Sequence, residues 1–361
     1  MKIIIISNVS RGLYLFRREL IEKLSQNNQV TILAKETGFV DEFKKMGANF
    51  INVDMNLHGT NPAEELKLYA NYKRLLKELK PEVVLTYTIK PNIYGGMASS
   101  RLGIKYIVNI TGLGSTVEGN GFSNKLMLKL YGYGIRKAHQ VFFQNNANLK
   151  FMKDNGALKS PYQLIPGSGV NLERYKALDY PNGETVDFTY IGRVTKQKGI
   201  EQYLEAAKAI KNKYPFTRFH LCGKCDPEYE NRIKELHDKG EIIYHGMIND
   251  ISGMHAISWC TVHPSFYPEG MSNVLLESCA CARPVITTNR PGCREIVDEG
   301  KNGYLVKEKD AQDLIEKIET FLKLPWEEKR KMGLEGRRKV ENEFDRNIVI
   351  NEYMKAIFDY N

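Results

Sequence analysis

The sequence predicts an α/β protein of two domains, each a parallel β-sheet flanked by helices, with the strand ends facing each other across a cleft. Three observations lead there. The chain has 361 residues, more than one typical domain of roughly 100–200 residues needs. Short apolar runs alternate with longer amphipathic ones, the pattern of β-α-β units around a parallel sheet. The alternation breaks in GALKSPYQLIPGSGV, 156–170, where Gly and Pro mark a linker, and then restarts. The first domain is therefore expected at 1–165 and the second at 166–344, with a C-terminal helix at about 345–361 packing back on the first.

In the first half, strands are predicted at 2–7 (KIIIIS), 29–34 (QVTILA), 82–87 (EVVLTY), 104–109 (IKYIVN) and 140–144 (QVFFQ). Helical periodicity separates them. It is clearest at 63–80, where Leu66, Tyr69, Leu75, Leu76 and Leu79 are expected to line one side. In the second half, strands are predicted at 186–192, 217–222, 241–245, 259–263 and 284–288. The tail from 326 is helical in pattern, with an interruption near 343–346. Both domains thus read as Rossmann-like. Ligands of such sheets bind beyond the carboxyl ends of the strands, so chemistry is sought in the residues just after them.

Composition narrows the class. An apolar share of 42% is enough for two sizeable cores, and no apolar run approaches the roughly 20 residues of a membrane span. The opening MKIIIISNVS reads as a first strand and not as a signal peptide, which points to the cytoplasm. Six cysteines fit a reducing compartment. Only Cys222 and Cys225 have ligand-like spacing, and no second pair follows, so they read as a metal site or as a strand end with a turn at Gly223. Charge is uneven: residues 1–180 hold 25 Lys and Arg against 14 Asp and Glu, and the rest holds 27 against 29. A basic first half suggests an anionic partner there, or simply solubility.

Two segments could carry chemistry. GRVTKQKG, Gly192 to Gly199, joins a strand to a helix and places Arg193 and Lys198 in one turn. Two fixed cations suit a diphosphate, whose charge rises as it leaves, although basic loop residues are also common as solvated surface. More specific is HPSFYPEGMSNVLLESCACARPVI, His263 to Ile286, which reads strand, loop, helix, strand. Pro268 and Gly270 place the helix start near Met271, so the amides of Met271, Ser272 and Asn273 form an anion site. Glu269 stands just before that start and Glu277 eight positions on. If helical throughout, that spacing covers about 12 Å, enough for one extended ligand whose hydroxyls are held by carboxylates. His263 reads as a cleft residue or as a core histidine, and His139 as surface.

These residues resemble the family 4 retaining glycosyltransferases of GT-B fold. Glu269 and Glu277 match the family's Glu-x7-Glu signature, Arg193 and Lys198 its basic loop, and Ala282 to Val306 the segment that closes its second domain. The resemblance implies that Glu277 holds the ribose of a nucleotide, Glu269 the hydroxyls of the transferred sugar, and Arg193 and Lys198 the diphosphate. Gly270, Met271, Ser272 and Asn273 would line the donor. In the first half, Gly12 in SNVSRGLYLFRREL lies where the family expects close approach to donor and acceptor, and its neighbour Arg11 is a candidate acceptor contact. NITGLGSTVEG, 109–119, resembles the Gly-rich loop of the sugar pocket, with Thr111 and Gly112 where many members carry a His. The first half is most similar to enzymes extending undecaprenyl-diphosphate-linked oligosaccharides in surface polysaccharide and glycoprotein assembly, N-acetylgalactosamine transferases among them.

The expected reaction moves a hexose or N-acetylhexosamine from a nucleoside-diphosphate sugar, UDP by resemblance, to a lipid-linked saccharide with retained configuration. No Asp-x-Asp occurs, so no metal cofactor is expected. A sugar-nucleotide epimerase of the same fold is the alternative, but no acid/base pair for it is legible. A nucleic-acid-binding role lacks any recognised module, and no nucleic-acid partner is expected. Lys90, in TYTIKPN after strand 82–87, could meet an acceptor phosphate or be an ordinary surface Lys. Finally, Phe122 to His139 interleaves Lys125, Lys129, Arg136 and Lys137 with Leu126, Leu128, Leu130, Tyr131 and Ile135. It reads as a helix that docks on an anionic membrane, making the protein peripheral on the inner face of the cell membrane, or as one that simply packs on the sheet.

Overall fold

The run KIIIISNV forms β1 (Lys2–Val9), whose central residues are all buried, as a strand covered on both faces requires. It is followed by α1 (Ser10–Ser25), β2 (Gln29–Lys35), α2 (Val40–Lys45), β3 (Asn49–Asn52), α3 (Pro62–Leu79) and β4 (Val83–Tyr87). A π-helical turn at Pro91–Gly95 runs into α4 (Gly96–Leu102), then β5 (Lys105–Ile110), α5 (Phe122–Ile135), β6 (Gln140–Phe143), α6 (Asn146–Asp154) and β7 (Tyr162–Leu164). This computed structural model describes residues 1–57, 59, 61–114, 121–248 and 250–359, without the Phe122 side chain. The chain divides into two compact units, Met1–Ser168 with Ile348–Asn361, and Gly169–Asn347.

The first unit's sheet has the order β3-β2-β1-β4-β5-β6-β7, and its strand pairs are parallel. Neither β3 nor β7 is among the strands expected from sequence. Both are short edge strands with half-exposed faces, so they carry little apolar signal. β7 lies within the expected linker. Of the α3 residues expected on one side, Tyr69, Leu75, Leu76 and Leu79 join or pack against the core and Leu66 does not. Leu68, Tyr72, Leu75 and Leu76 are buried, whereas Leu66 is 66% exposed. Apolar residues flank both sides of this helix, and periodicity alone did not choose between them.

The second unit holds β8 (Val186–Ile191), α7 (Ile200–Lys213), β9 (Thr217–Cys222), α8 (Pro227–Asp238), β10 (Ile243–Tyr244), α9 (Ser252–Ile257), β11 (Cys260–His263), α10 (Asn273–Ala280), β12 (Val285–Thr288) and β13 (Gly303–Val306). Its sheet runs β10-β9-β8-β11-β12-β13, again parallel. Aromatic residues fill its core, with Phe188, Tyr190, Tyr203 and Phe219 fully buried. After α11 (Ala311–Lys323) and α12 (Trp326–Glu343) comes α13 (Arg346–Phe358). Its Val349, Ile350, Tyr353 and Ile357 join the first unit's core beside Leu13, Leu85 and Phe142. No helix among the described residues is long and apolar enough to cross a membrane.

Candidate functional site

In each sheet the first strand of the unit lies between the second and the fourth, the order of a doubly wound fold. The loops after β1 and β4, and after β8 and β11, therefore diverge at the place where open parallel sheets take their ligands. In the second unit, Arg193 and Lys198 follow β8, and Ser265 and Glu269 follow β11. Adjacency of these two strands joins the loops. The Phe266 amide donates to the Gln197 carbonyl at 2.9 Å. Gly199 has φ +77° and passes so close to Pro264 that a Cβ there would lie 2.0 Å from its carbonyl oxygen, which only glycine permits. The buried Tyr190 hydroxyl donates to the Arg193 carbonyl at 2.8 Å and lies 3.2 Å from that of Lys198.

The joined loops bring Lys198 onto Glu269 in an ion pair with both side chains 13% exposed. Ser265 Oγ donates to Glu269 Oε1 at 3.1 Å, and Nε2 of the buried His263 lies 3.5 Å from the same oxygen. Burial alone would raise the Glu269 carboxyl. The Lys198 ammonium and then His263 outweigh it and hold the group well below the usual carboxylate range. His263 is driven the other way: burial, with help from Lys198 and against Glu269, keeps its imidazole neutral. The Tyr267 ring stands beside both cations, 5.8 Å from the Arg193 guanidinium carbon and 5.1 Å from the Lys198 ammonium. Arg193 itself is exposed. One loop pair thus presents a fixed carboxylate, a fixed ammonium and an exposed guanidinium beside the Tyr267 ring. Sequence reading named the three charges but missed Ser265, Tyr190 and Tyr267. The only trace of the first and last was their place in SFYPEG.

The helix after this loop starts later than expected. α10 begins at Asn273, because the Ser272 amide donates to the Gly292 carbonyl at 2.7 Å and the Met271 side chain is anchored in a core with Leu275 and Leu276. The amides of Met271 and Ser272 are therefore not helix-start donors, and the 12 Å helical spacing between the glutamates does not hold. Gly270 is buried in the loop. Ser272 Oγ and Asn273 Oδ1 are buried without a hydrogen-bond partner among the described residues, next to the free amides of the first turn. Glu277 projects from α10 into a different environment. Burial pushes its carboxyl up to about 7, against a hydrogen bond from Tyr175 and the charges of Arg346 and Arg174.

The first unit's residues are placed differently from expectation. Gly12 sits inside the first turn of α1, not in a loop, and a Cβ there would meet only Val9 at 3.5 Å. The Arg11 guanidinium lies 5.4 Å from the Phe39 ring centre. Thr111 and Gly112 follow β5, and positions 115–120 of the Gly-rich loop lie outside the described residues. Lys90 is not an open cation. Its ammonium pairs with Glu65 and donates to the carbonyls of Asn56 at 2.6 Å and Gly59 at 2.8 Å, which engages all three of its protons. Sequence reading also missed Thr88, two positions before it, which holds φ +73°, a costly conformation for a β-branched residue.

The six cysteines are buried and free, and Cys222 closes β9 ahead of a turn at Gly223. His139 is exposed and pairs with Asp359 at 3.0 Å. In α5, Leu128, Tyr131 and Ile135 belong to the core, so the outward apolar groups are Leu126 and Tyr133.

Sequence comparison agrees with this geometry. The profile of the family described as Glycosyl transferases group 1 matches residues 179–339, and that of the Glycosyl transferase 4-like family matches residues 2–145. The chain is 26% identical to the N,N'-diacetylbacillosaminyl-diphospho-undecaprenol alpha-1,3-N-acetylgalactosaminyltransferase of Campylobacter jejuni, over 98% of both chains. It is 25% identical to the UDP-Gal:alpha-D-GlcNAc-diphosphoundecaprenol alpha-1,3-galactosyltransferase of Escherichia coli, over 79% of this chain and 78% of that one. Among solved structures, Anabaena HepE, crystallised with UDP and glucose, superposes over the full length of both chains with a TM-score of 0.82 at 17% identity. Each half is thus matched by a sugar-transferring family and the whole by enzymes of that kind, so the chain belongs to the family 4 glycosyltransferases of GT-B fold and is a hexosyltransferase.

Proposed function

We propose that the enzyme moves a hexose or N-acetylhexosamine from a UDP-sugar to a saccharide carried on a lipid diphosphate, with retained configuration and without a metal ion. The observation that carries this reading is the largely buried contact of Lys198 with Glu269. A carboxylate and a cation that touch suit a ligand whose hydroxyls and phosphate adjoin, which is what a sugar-nucleotide is at its reacting bond. In this reading Glu269 holds the sugar hydroxyls, Lys198 and Arg193 meet the charge that develops on the leaving diphosphate, and Glu277 holds the ribose. The first turn of α10, with Ser272 and Asn273, lies on the donor side. The names of the two relatives support the acceptor class, and the UDP in HepE supports the base. A lipid-bound acceptor stays in a bilayer, so the basic first unit works at an anionic membrane surface, with Lys125, Lys129 and Lys137 on the outside of α5.

The test is incubation of the protein with a panel of UDP- and GDP-sugars, a lipid-diphosphate saccharide and a chelator. Transfer from a UDP-sugar with unchanged anomeric configuration is expected. Transfer from GDP-sugars alone would overturn the base. Conversion of the UDP-sugar to an isomer without acceptor would make the protein an epimerase.

A further inference from the structure

The second unit holds a polar chain that lies outside the loops after β8 and β11 and crosses the sheet from β8 to the end of β10. Arg218 of β9 donates to the Asp187 carboxylate of β8 through Nε at 2.6 Å and Nη2 at 2.9 Å. Nε2 of His220 lies 2.7 Å from Asp187 Oδ1, and its Nδ1 lies 2.9 Å from Nε2 of His245. Asp187 and His220 are buried. His245, the residue after β10, is exposed. The two imidazole planes are 11° apart, which suits an in-plane bond between the rings.

The chain has a direction. Burial alone would raise the Asp187 carboxyl; His220 and Arg218 outweigh it and hold the group below its usual value, as a carboxylate. A carboxylate only accepts, so a neutral His220 carries its proton on Nε2 and has a bare Nδ1. His245 must then carry a proton on Nε2 to make the second bond. Partial burial, then His220 and His237, hold the His245 imidazole below its usual value, so at pH 8 it has no second proton. Its Nδ1 is left as a hydrogen-bond acceptor.

The loops after β8, β9 and β10 touch. The Gly223 amide donates to the Gly246 carbonyl at 2.8 Å, and a Cβ at Gly223 would strike the carbonyl of Gly192, the residue before Arg193. At roughly 4.8 Å per strand, the end of β10 lies about 10 Å from that of β8, within reach of the base of a nucleotide whose diphosphate lies at Arg193. Between them the strand ends carry an apolar cluster of Ile191, Cys222 and Met254 with Ile248 and Ile251. A flat ring edged by an N–H complements an apolar surface with one acceptor beside it. We infer that His245 contacts the base of the donor, its Nδ1 accepting from a ring N–H, the N3–H of uracil, and that His220 and Asp187 are positioning residues that fix its tautomer. This rests on the UDP donor proposed above and adds the atom that reads the base.

The experiment is titration calorimetry of the full chain at pH 8 with UDP, N3-methyl-UDP and CDP. Wild type should bind UDP about tenfold more tightly than N3-methyl-UDP, in which the N–H is blocked, and than CDP, whose ring N3 carries no proton. His245→Leu removes an exposed side chain, so the fold should persist; both ratios should fall to about twofold or less. His245→Gln, which keeps a donor toward His220 and a carbonyl acceptor outward, should restore most of the discrimination. Nitrogen-15 NMR of the free protein should find the ring proton of His245 on Nε2. Undiminished discrimination in folded His245→Leu, or a proton on Nδ1, would overturn the assignment. The two readings fail separately. UDP binding without discrimination removes only His245. Binding of GDP and not UDP removes only the uridine donor, and N1-methyl-GDP against GDP then decides His245 in the same way, since guanine also has a ring N–H. A protein that binds neither nucleotide overturns both.

Discussion

The two units share a strand order but use the ends of their central strands differently. After β8 and β11, charges are withdrawn from water and locked against each other, with Lys198 and Glu269 in contact and 13% exposed. After β1 and β4, Arg11 lies by Phe39 and Lys90 is bound by Glu65 and two carbonyls. The first unit keeps its open cations on helices instead, at Arg101, Lys125, Lys129, Arg136 and Lys137. The function proposed above accounts for the difference by what each charge would have to do. Stabilising charge that appears at one reacting bond needs fixed groups in a dry site. Attracting a lipid headgroup from solution needs exposed groups whose pull salt can screen.

The largest effects are expected at Lys198 and Arg193. Each substitution by Ala should slow turnover about 10²-fold or more, as for loss of one preorganised charge stabiliser. Only Lys198→Ala should also lower stability, by about 3 kcal/mol, because it removes the cation that faces the largely buried Glu269 carboxylate and leaves the neutral Ser265 and His263 to hold it. Turnover assays with thermal unfolding separate the two effects. Wild-type rates in both folded variants would remove these residues from the donor site.

Next in size is the first unit's surface charge. Wild-type protein should bind anionic vesicles better than neutral ones, and less as salt rises. Glu at positions 125, 129 and 137 should weaken that binding about 10²-fold, at about 1 kcal/mol per basic residue, with no change in thermal stability. Undiminished co-sedimentation of the triple variant would mean that α5 is not the docking helix.

The two glutamates divide the second unit further. Glu277→Ala should weaken UDP binding about tenfold, the scale of hydrogen bonds to a charged group, with little effect on turnover at saturation. Glu269→Ala should leave UDP affinity intact and lower turnover by about tenfold or more. Calorimetry and kinetics that show the opposite pattern would reverse the donor in the site.

The smallest effect expected is a pH dependence confined to Glu277. Its folded-state value of about 7 lies above the ordinary carboxyl value, so the native site holds a proton below that pH and releases it above. Stability linked to this group is therefore present at low pH and declines as pH rises from the ordinary carboxyl range through about 7. UDP affinity should move the other way, a few-fold upward through about 7, because ribose hydroxyls donate to the carboxylate. Titration calorimetry across that range should show the rise in wild type and a flat line in Glu277→Gln. A flat wild-type profile would separate the nucleotide from Glu277.

Much of this site was legible in sequence because its signals are local. Gly192 and Gly199 bracket the basic loop, and Pro268, Glu269 and Gly270 announce a turn before a helix. The central strands, buried on both faces, read directly from runs such as KIIIIS and QVTILA. Edge strands did not, since NFIN and YQL pair on one side and leave half their residues in water. The start of α10 was read two residues early because the group that captures the Ser272 amide is Gly292, twenty positions away and on another loop.

Local signals in the sequence set the alternation of strand and helix and the residue types in the loops after β8 and β11. These depend on periodicity and turn chemistry within a few residues. Tertiary structure decided which charges meet. Setting β8 beside β11 brings Lys198 to Glu269 across 71 positions, and that contact, absent at Glu277, is why one carboxyl is held ionised while burial pushes the other up to about 7. It also decided that Lys90 is held internally while Leu66 and Leu126 stay open, because desolvation and pairing depend on neighbours that the chain brings together only by folding.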